Sequence, residues 1–322
     1  MFDIISIGDS TVDEFLTIDD AKVSCDLNRE NCIICFNYAD KIPAKSFTQV
    51  PAAGNAANAA VGSARLGLAT GIYTVLGNDK AGHEILEIFK AEGVATDFVQ
   101  IDENHGTNHS VILNYLGERT IFVFHNPRNY KFPQNLAPAK WIYYTSLAKE
   151  HAQLHQPLID YVLKNNVKLA FNPGSWQIRE GIDVLSQIIK HSEVFILNRQ
   201  EAQNLVGEGE IKDLLQKLVK YGSKIVVITN GPEGSYSFDG EKFYKLGIFE
   251  CPIVERTGAG DAYSTGLLAA LCSGKSLPEA MVWGTFNAAS VIQKIGPQEG
   301  LLKKAELEKY LVETPNFKAE EF

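Results

Sequence analysis

The stretch most suited to chemistry runs from Thr257 to Asp261 and leads directly into a helical run that starts at Ala262. Small residues ahead of a helix expose unpaired backbone N–H groups at its positive end, where an anion can bind. Asp261 adds a carboxylate beside that anion. This pairing makes sense if the carboxylate takes a proton from an attacking hydroxyl while the N–H groups hold charge developing on a transferred phosphoryl group. Ordinary helix capping is the alternative, and the spacing alone does not choose between them.

The composition narrows the class of protein. The chain has 322 residues, of which 45% are hydrophobic and 21% charged, and this excludes a disordered or fibrous chain. The 30 Lys and Arg against 39 Asp and Glu give a formal net charge of −9, so no nucleic-acid partner is expected. No apolar run approaches the roughly 20 residues that span a bilayer, so we expect no membrane partner. Residues 1–8 resemble a first core strand rather than a targeting segment, and the expected location is the cytoplasm.

The elements that position the candidate residues follow a regular order. From about residue 70 onward, apolar strand patterns alternate with helical patterns, which is typical of parallel βαβ units. The expected strands are 72–76, 141–144, 168–171, 194–197 and 224–229. The expected helices are 56–66, 81–92, 153–164, 211–220, 262–272 and 278–293.

Two segments depart from this alternation. Residues 14–50 hold short apolar runs without a helical pattern, and residues 109–124 indicate a hairpin with its turn at Leu116, Gly117 and Glu118. No low-complexity linker separates them from the rest. We therefore expect one domain, 1–322, with a three-layer α/β core, a mostly parallel central sheet and a small β-sheet lid formed by about 14–50 and 107–125.

The five cysteines do not suggest a disulfide framework. Cys32 and Cys35 have the C-x-x-C spacing, with Cys25 nearby, but a fourth zinc ligand is not close in sequence. Their surroundings are apolar and strand-like, unlike the helix start of a redox motif. We expect buried or half-buried thiols, with a metal or redox role as the alternative.

Motifs along nearly the whole chain resemble those of the PfkB (ribokinase-like) family of sugar and nucleoside kinases. Gly258–Asp261 is similar to the family's C-terminal motif, and Ala53–Asn58 is similar to its first motif. Asn198–Glu201 follows an expected strand and matches the N-x-x-E element. Thr229–Gly234 is similar to the turn on the nucleotide side. Each motif alone is weak, but their common order makes the resemblance strong.

By this resemblance, the residues just before the expected helix 262–272 take part directly in the reaction. The resemblance implies that Asp261 is the general base that activates a substrate hydroxyl. The backbone N–H groups of Gly258, Ala259 and Gly260 would form the anion hole for the phosphoryl group.

Asn198 and Glu201 would, by the same resemblance, organise Mg²⁺ and the phosphates, partly through water. Their spacing of three residues places both on one face of a starting helix, which supports a joint role. The alternative is a capping box, in which the two residues only terminate that helix.

The nucleotide itself would be lined by Asn198, Thr229, Gly231 and Gly234, where the glycines let the backbone approach phosphate or ribose. A simple β-turn is the alternative for the last three. Asn287, inside an expected helix, matches a family position near the adenine. The alternative for Asn287 is a tolerated surface residue.

The acceptor would be bound at the first strand and the first motif. Asp13 matches the family's acidic residue after the first strand, and a carboxylate there accepts hydrogen bonds from paired sugar hydroxyls. Gly54, Asn55 and Asn58 would complete this polyol site. The alternatives are a loop aspartate and capping of the helix 56–66 by the two asparagines.

One departure from the family pattern concerns Glu255 and Arg256, where the family commonly has Asp and Thr. That region helps to bind an activating monovalent cation in ribokinase-like members. Dependence on K⁺ is therefore left open. Arg256 is expected to lie near the triphosphate instead.

Taken together, the resemblance implies an ATP-dependent phosphotransferase that uses Mg²⁺ and phosphorylates a hydroxyl of a sugar, as ribokinases and fructokinases do. The alternative is a nucleoside kinase of the adenosine type, and a third is a sugar or nucleotide sensor without turnover. The partner is a small molecule, and a homodimer through the edges of the β lid is a further expectation.

Overall fold

The computed structural model describes residues 1–25, 32–116 and 118–322. Its strands, in chain order, are β1 (Phe2–Ile7), β2 (Thr11–Ile18), β3 (Lys22–Cys25), β4 (Cys32–Cys35), β5 (Ala44–Ala53), β6 (Thr70–Tyr73), β7 (Val75–Gly77), β8 (Gln100–Asp102), β9 (Asn108–Tyr115), β10 (Glu118–Phe124), β11 (Ala139–Tyr144), β12 (Lys168–Phe171), β13 (Val194–Asn198), β14 (Ile225–Thr229), β15 (Ser235–Phe238), β16 (Phe243–Leu246) and β17 (Glu320–Glu321). Its α-helices are α1 (Asn55–Arg65), α2 (Lys80–Ala91), α3 (His155–Asn165), α4 (Ser175–Glu180), α5 (Ile182–Lys190), α6 (Arg199–Val206), α7 (Ile211–Val219), α8 (Ala259–Cys272), α9 (Leu277–Val291) and α10 (Lys304–Glu313). Short 3₁₀ turns lie at Lys149–Leu154 and Gly231–Glu233.

The main sheet runs in the spatial order β17, β16, β15, β14, β13, β12, β11, β1, β6. All neighbours from β6 to β14 are parallel, and the strands from β14 to β17 pair antiparallel. The central strands are continuous apolar runs because helices cover both faces of a parallel sheet. The expected mostly parallel central sheet is confirmed.

Two helical layers enclose this sheet. On β1, the buried Ile5 and Ile7 belong to a core shared with α3, α5 and α7. Ile4, which points the other way, belongs to a core shared with α8, α9 and α10. Strand alternation therefore divides the apolar side chains between the two faces, which gives the expected three layers. In the ranges described, no helix is both long enough and apolar enough to cross a membrane.

A second, smaller sheet has the order β10, β9, β2, β5. Its strands come from the two segments that lack helical patterns, and β9 with β10 is the expected hairpin of residues 109–124. Gly117 of the expected turn lies outside the described residues. The small separate sheet is confirmed, while the interpretation of the chain as one domain with a closing lid stays a prediction.

The expected strand 72–76 is wrong as a single element. The structure divides it at Thr74: β6 continues the main sheet beside β1, and β7 pairs with β8. The Thr74 carbonyl oxygen accepts a hydrogen bond from the Gln100 backbone at 2.9 Å, so the chain changes its pairing partner at this residue. Both halves are apolar and buried, and for that reason the pattern shows no break.

The expectation of buried or half-buried thiols holds for Cys251 and Cys272, which are half-buried, but it is wrong for the three cysteines near the N-terminus. Cys25 and Cys32 lie opposite each other on the hairpin of β3 and β4 and are joined by a disulfide bond. Cys35 is a free, exposed thiol. The reason is that β3 and β4 form a separate two-stranded sheet in which nearly every side chain is exposed, so their apolar residues are not part of a core.

Candidate active site

A cleft of about 190 Å³ lies at the carboxyl ends of neighbouring strands of the main sheet. Asn172 follows β12, Asn198 ends β13, Thr229 ends β14, and Ser146 lies just beyond β11. Parallel sheets bind their ligands at this edge, since the strand ends and the helix starts meet there. The first turn of α8 supplies Asp261 to the same cleft.

Two side chains of α1 hold the carboxylate of Asp261. Asn55 Nδ2 donates to Asp261 Oδ1 at 2.9 Å, and Asn58 Nδ2 donates to Asp261 Oδ2 at 2.7 Å. The alternative of helix capping by these asparagines is wrong, because the residue at the N-cap of α1 is Gly54 and no side chain caps the helix. The amides instead fix the carboxylate across the junction between α1 and α8.

The start of α8 depends on Gly258. Its φ of +81° lies in the left-handed region, and a Cβ there would lie 2.4 Å from Pro297 Cβ. Only glycine therefore fits this position without strain. The following turn contains Ala259 and Gly260, where helix N–H groups have no partner within the helix and favour an anion. Ala259 N–H itself donates to the Arg256 carbonyl oxygen at 3.3 Å, so the use of all three residues as an anion hole stays a prediction.

The surroundings of Asp261 set its ionisation. Burial raises the pKa of Asp261 from 3.8 to about 6, and the hydrogen bonds from Asn58 and Asn55 oppose that shift. The carboxyl is consequently ionised at neutral pH yet basic enough to accept a proton, which is the range that suits a general base.

Asp13 lies on the small sheet, next to Ser110 in the register of β2 and β9. Burial raises the pKa of Asp13 to about 7; a hydrogen bond with Ser110 opposes the shift, and the charges of Asp261 and Glu255 add to it. Within the described chain, the buried Oδ1 atom of Asp13 has no hydrogen-bond partner. The charge of Asp261 acts on Asp13, and the assignment of both residues to one site stays a prediction.

Asn198 and Glu201 form the capping box that was the alternative for them. Asn198 Oδ1 accepts from the Glu201 backbone at 2.9 Å, and the Asn198 backbone donates to Glu201 Oε2 at 2.9 Å. Both side chains also line the cleft. Burial raises the pKa of Glu201, and the negative charge of Asp261 contributes to the rise, while hydrogen bonds from Asn198 oppose it. Capping and ligand contact are therefore compatible, and the ligand role stays a prediction.

The turn after β14 is only partly at the cleft. Thr229 lines it, whereas Gly234 is required by packing, because a Cβ there would lie 2.1 Å from the Leu246 carbonyl oxygen. Gly231 has open space around it. The β-turn alternative accounts for Gly234, and contact of all three with a nucleotide stays a prediction.

Asn287 is not brought to the cleft. Its side chain is fully buried between helices, where Nδ2 donates to the Ala262 carbonyl oxygen at 2.7 Å and Oδ1 accepts from the Leu302 backbone at 3.0 Å. It is not on the surface either, so that alternative is wrong. The side chain joins α9 to α8 and to the segment that follows α9.

Several cleft residues were missed in the sequence. Asn172 contributes its side chain next to the cleft and donates to the Ile196 carbonyl oxygen at 3.0 Å, while Ser146, Ser175 and Ser264 also line the cleft. Asn172 directly follows an expected strand, and this position is the signal that could have identified it. Ser264 lies three residues after Asp261, on the same face of α8.

The residues that depart from the family pattern lie in two environments. Glu255 is buried, accepts from the Thr257 backbone at 2.8 Å, and has a second oxygen, Oε2, with no partner among the described residues. Arg256 is half exposed, with Nη1 at 3.9 Å from Glu118 Oε1 on β10. Arg256 therefore contacts the small sheet, and its expected position near a triphosphate stays a prediction.

Comparisons with solved structures place the fold. A ribokinase from Arabidopsis thaliana, determined with ribose and ATP, superposes with a TM-score of 0.80 at 21% identity and covers 96% of this chain and 98% of its own. A nucleoside kinase of the ribokinase family from Methanocaldococcus jannaschii gives a TM-score of 0.75 at 20% identity, covering 97% of this chain and 98% of its own. The ribokinase-like fold is thereby confirmed.

Similar proteins and a family model show the family to which this chain belongs. An uncharacterised sugar kinase from Archaeoglobus fulgidus is 27% identical over 259 residues, which are 75% of this chain and 98% of the relative. A 5-dehydro-2-deoxygluconokinase from Bacillus subtilis is 27% identical over 280 residues, which are 80% of this chain and 86% of the relative. The model of the pfkB family of carbohydrate kinases matches residues 13–304. The chain therefore belongs to the pfkB family of carbohydrate kinases, and the expectation of an ATP-dependent kinase is confirmed.

Proposed function

We propose that the protein transfers the γ-phosphoryl group of ATP to a hydroxyl of a small sugar, with Asp261 as the general base. The observation that carries this proposal is the carboxylate held by two amides at the N-terminus of α8, beside the cleft at the strand ends. A capping role alone would not need two asparagines from another helix. Asp261 accepts the proton of the attacking hydroxyl, and the N–H groups of the first turn of α8 bind the phosphoryl oxygens.

The charge of the cleft indicates a divalent cation with the nucleotide. Asp261 and Glu201 line it, and none of the cleft-lining residues described is Lys or Arg. A polyphosphate would meet uncompensated negative charge here. Oxygen ligands at Glu201 and Asn198 fit Mg²⁺, directly or through water. When bound, Mg²⁺ would neutralise phosphate charge.

The acceptor site is the face of the small sheet that carries Asp13. Asn108 lies opposite Thr11, two residues before Asp13. Asp13 Oδ1 on β2 and Asn108 Nδ2 on the paired strand β9 are buried polar atoms with no partner in the described chain. One accepts and the other donates, which suits a polyhydroxy compound. Closure of this sheet over the acceptor would exclude water as a competing acceptor. The curated 5-dehydro-2-deoxygluconokinases make sugar acids one group of acceptors to test.

The nucleoside alternative has less support. Of the lid aromatics that could stack on a purine, Tyr38, Phe36 and Phe47 are exposed, and Phe15 is buried in the small sheet. A purine would need an aromatic side chain facing Asp13.

Glu255 supports an activating monovalent cation. Its buried, unpartnered Oε2 atom belongs to a residue three positions before the left-handed Gly258. A cation there would compensate the charge of a buried carboxylate, one oxygen of which has no partner among the described residues. Stimulation of turnover by KCl over an equal concentration of tetramethylammonium chloride is the expected result.

A homodimer through the small sheet is supported by its edge strand. Every residue of β10 that the structure describes is exposed, and Phe122 and Phe124 are 56% and 61% exposed on one face. Exposed apolar edge strands pair readily with a second strand.

The decisive experiment measures ADP release over a panel of sugars, sugar acids and nucleosides, with Asp261→Asn as the control. We expect turnover with a sugar or sugar acid, and a kcat lower by about 10²- to 10⁴-fold in the variant, because a general base contributes that much. Binding of ATP to the variant, followed by calorimetry, should be retained. Near-normal turnover of Asp261→Asn would refute the assigned base, and turnover with nucleosides alone would favour the alternative.

A further inference from the structure

Gln298 lies in the segment between α9 and α10, and its side chain is buried. Its Nε2 atom donates to the Ala52 carbonyl oxygen at 2.5 Å and to Asn58 Oδ1 at 3.1 Å. Asn58 in turn donates to Asp261 Oδ2 at 2.7 Å. The side chain of Asn58 therefore links Gln298 to the proposed base, Asp261.

The direction of these hydrogen bonds matters because the two ends of an asparagine amide have opposite roles. The oxygen only accepts, and the nitrogen only donates. Since Gln298 donates to the oxygen of Asn58, the nitrogen is directed at Asp261. A rotation of the amide by half a turn would place an oxygen against the carboxylate, which would repel it.

Gln298 is itself held firmly in place. Arg65 Nη1 donates to the Gln298 carbonyl oxygen at 2.6 Å, and the same guanidinium makes two hydrogen bonds to Glu92, at 3.0 and 2.6 Å. The preceding residue, Pro297, packs against Gly258 at the start of α8. The segment thus contacts both the anion-binding turn and the partner of Asp261.

We propose that Gln298 is a positioning residue, which fixes the amide of Asn58 so that its nitrogen holds the carboxylate of Asp261. This inference rests on the proposed role of Asp261. Gln298 is not among the described residues that line the cleft, and in this proposal it acts only through Asn58.

The test compares kcat and KM in Gln298→Met, Asn58→Ala and the double variant. Methionine keeps the size of the side chain but cannot donate. We expect Gln298→Met to lower kcat about 10-fold, the order for losing one hydrogen bond to a charged group, with the KM for ATP unchanged. In the Asn58→Ala background, Gln298→Met should cause no further loss, because it acts through Asn58.

Two further variants separate positioning from a general structural effect. Gln293→Met removes a half-buried glutamine that donates to the Ala289 carbonyl oxygen at 3.0 Å near the end of α9, and it should leave kcat unchanged. Gln298→Glu keeps the shape of the side chain but replaces the donating nitrogen with an accepting oxygen, so it should lower kcat by at least as much as Gln298→Met. It also serves as the test if Gln298→Met does not fold.

An additive loss in the double variant, or unchanged kcat in both Gln298 variants, would overturn the proposal. Failure of the proposed function has a different signature: Asp261→Asn would then retain turnover, whatever happens at Gln298.

Discussion

Opposing influences on Asp261 make it suitable as a base. Burial favours the protonated form of its carboxyl, and the amides of Asn55 and Asn58 favour the ionised form. Their balance leaves a pKa of about 6, so the group is ionised under neutral conditions without being a very weak base. A carboxylate in water, with a pKa near 3.9, would accept a proton less readily.

The pH dependence of turnover follows from this value. The base must be ionised, so kcat should be constant above neutral pH and fall about tenfold per unit of pH below about 6. The measurement is kcat at saturating ATP and acceptor between pH 5 and 9. A kcat that stays flat down to pH 5 would contradict the assignment.

The sequence predicted a general base at Asp261, but it did not predict the hydrogen bonds that hold this carboxylate. Asp261 and the small residues before it stand out because their types and order are local. The bonds from Asn55 and Asn58 could not be predicted, since those residues are 206 and 203 positions away from Asp261 and their amides have several plausible uses. Asn172 was missed for a related reason: an asparagine in a loop becomes informative only when its strand is placed at the cleft.

At the scale of elements, the start of α8 offers a matched pair of glycines. Gly258→Ala should destabilise the protein by about 2–4 kcal/mol, because alanine disfavours the left-handed conformation and its Cβ would collide with Pro297. Gly260→Ala is the control, because a Cβ added at Gly260 would have no neighbouring heavy atom within 4 Å. Gly260 lies inside the helix, so the stability of this variant should be unchanged or slightly higher. Urea unfolding of both variants makes the comparison, and equal loss in the two would contradict this account.

Asn287 provides a second prediction at this scale. Asn287→Leu should destabilise the protein by about 1–3 kcal/mol, because the Leu302 N–H would be left buried without a partner. The control Asn165→Leu changes an exposed asparagine of α3 and should have little effect. Thermal melting and the KM for ATP are the measurements. A higher KM with unchanged melting would instead support the contact with adenine that the resemblance implies.

The predicted elements were most accurate where the hydrophobic period is regular. The strand 168–171 and the helix 211–220 agree with β12 and α7 to within a residue. The strand 72–76 was not divided, because a change of pairing partner leaves no mark in a run that is buried on both sides. Residues 14–50 gave no strand bounds, because much of β5 and nearly all of β3 and β4 is exposed and lacks an alternating pattern.

At the scale of the whole molecule, the small sheet is the feature that extends beyond the three layers. Its four strands come from separate parts of the chain, and its exposed edge at β10 is the basis for the proposed dimer. Composition predicted a large buried core, which the structure divides between the two faces of the main sheet, and it could not show which strands lie outside that sheet.

The dimer is tested by sedimentation. We expect the protein to sediment as a dimer, and the double change Phe122→Ser with Phe124→Ser to shift it towards the monomer, because both rings are exposed on the edge strand. Leu163→Ser is the control, since Leu163 is 60% exposed but lies on α3, outside the small sheet. A wild-type protein that is monomeric at every concentration would refute the proposal.

The hydrogen bonds between α1 and α8 also have a consequence for biosynthesis. Asn55 leaves the ribosome 206 residues before Asp261, which at usual translation speeds is about 10–40 s. During that interval the nascent chain has the amides but no base for them to hold. The hydrogen bonds that join α1 to α8 therefore form only after residues far apart in the sequence have both been synthesised and have met.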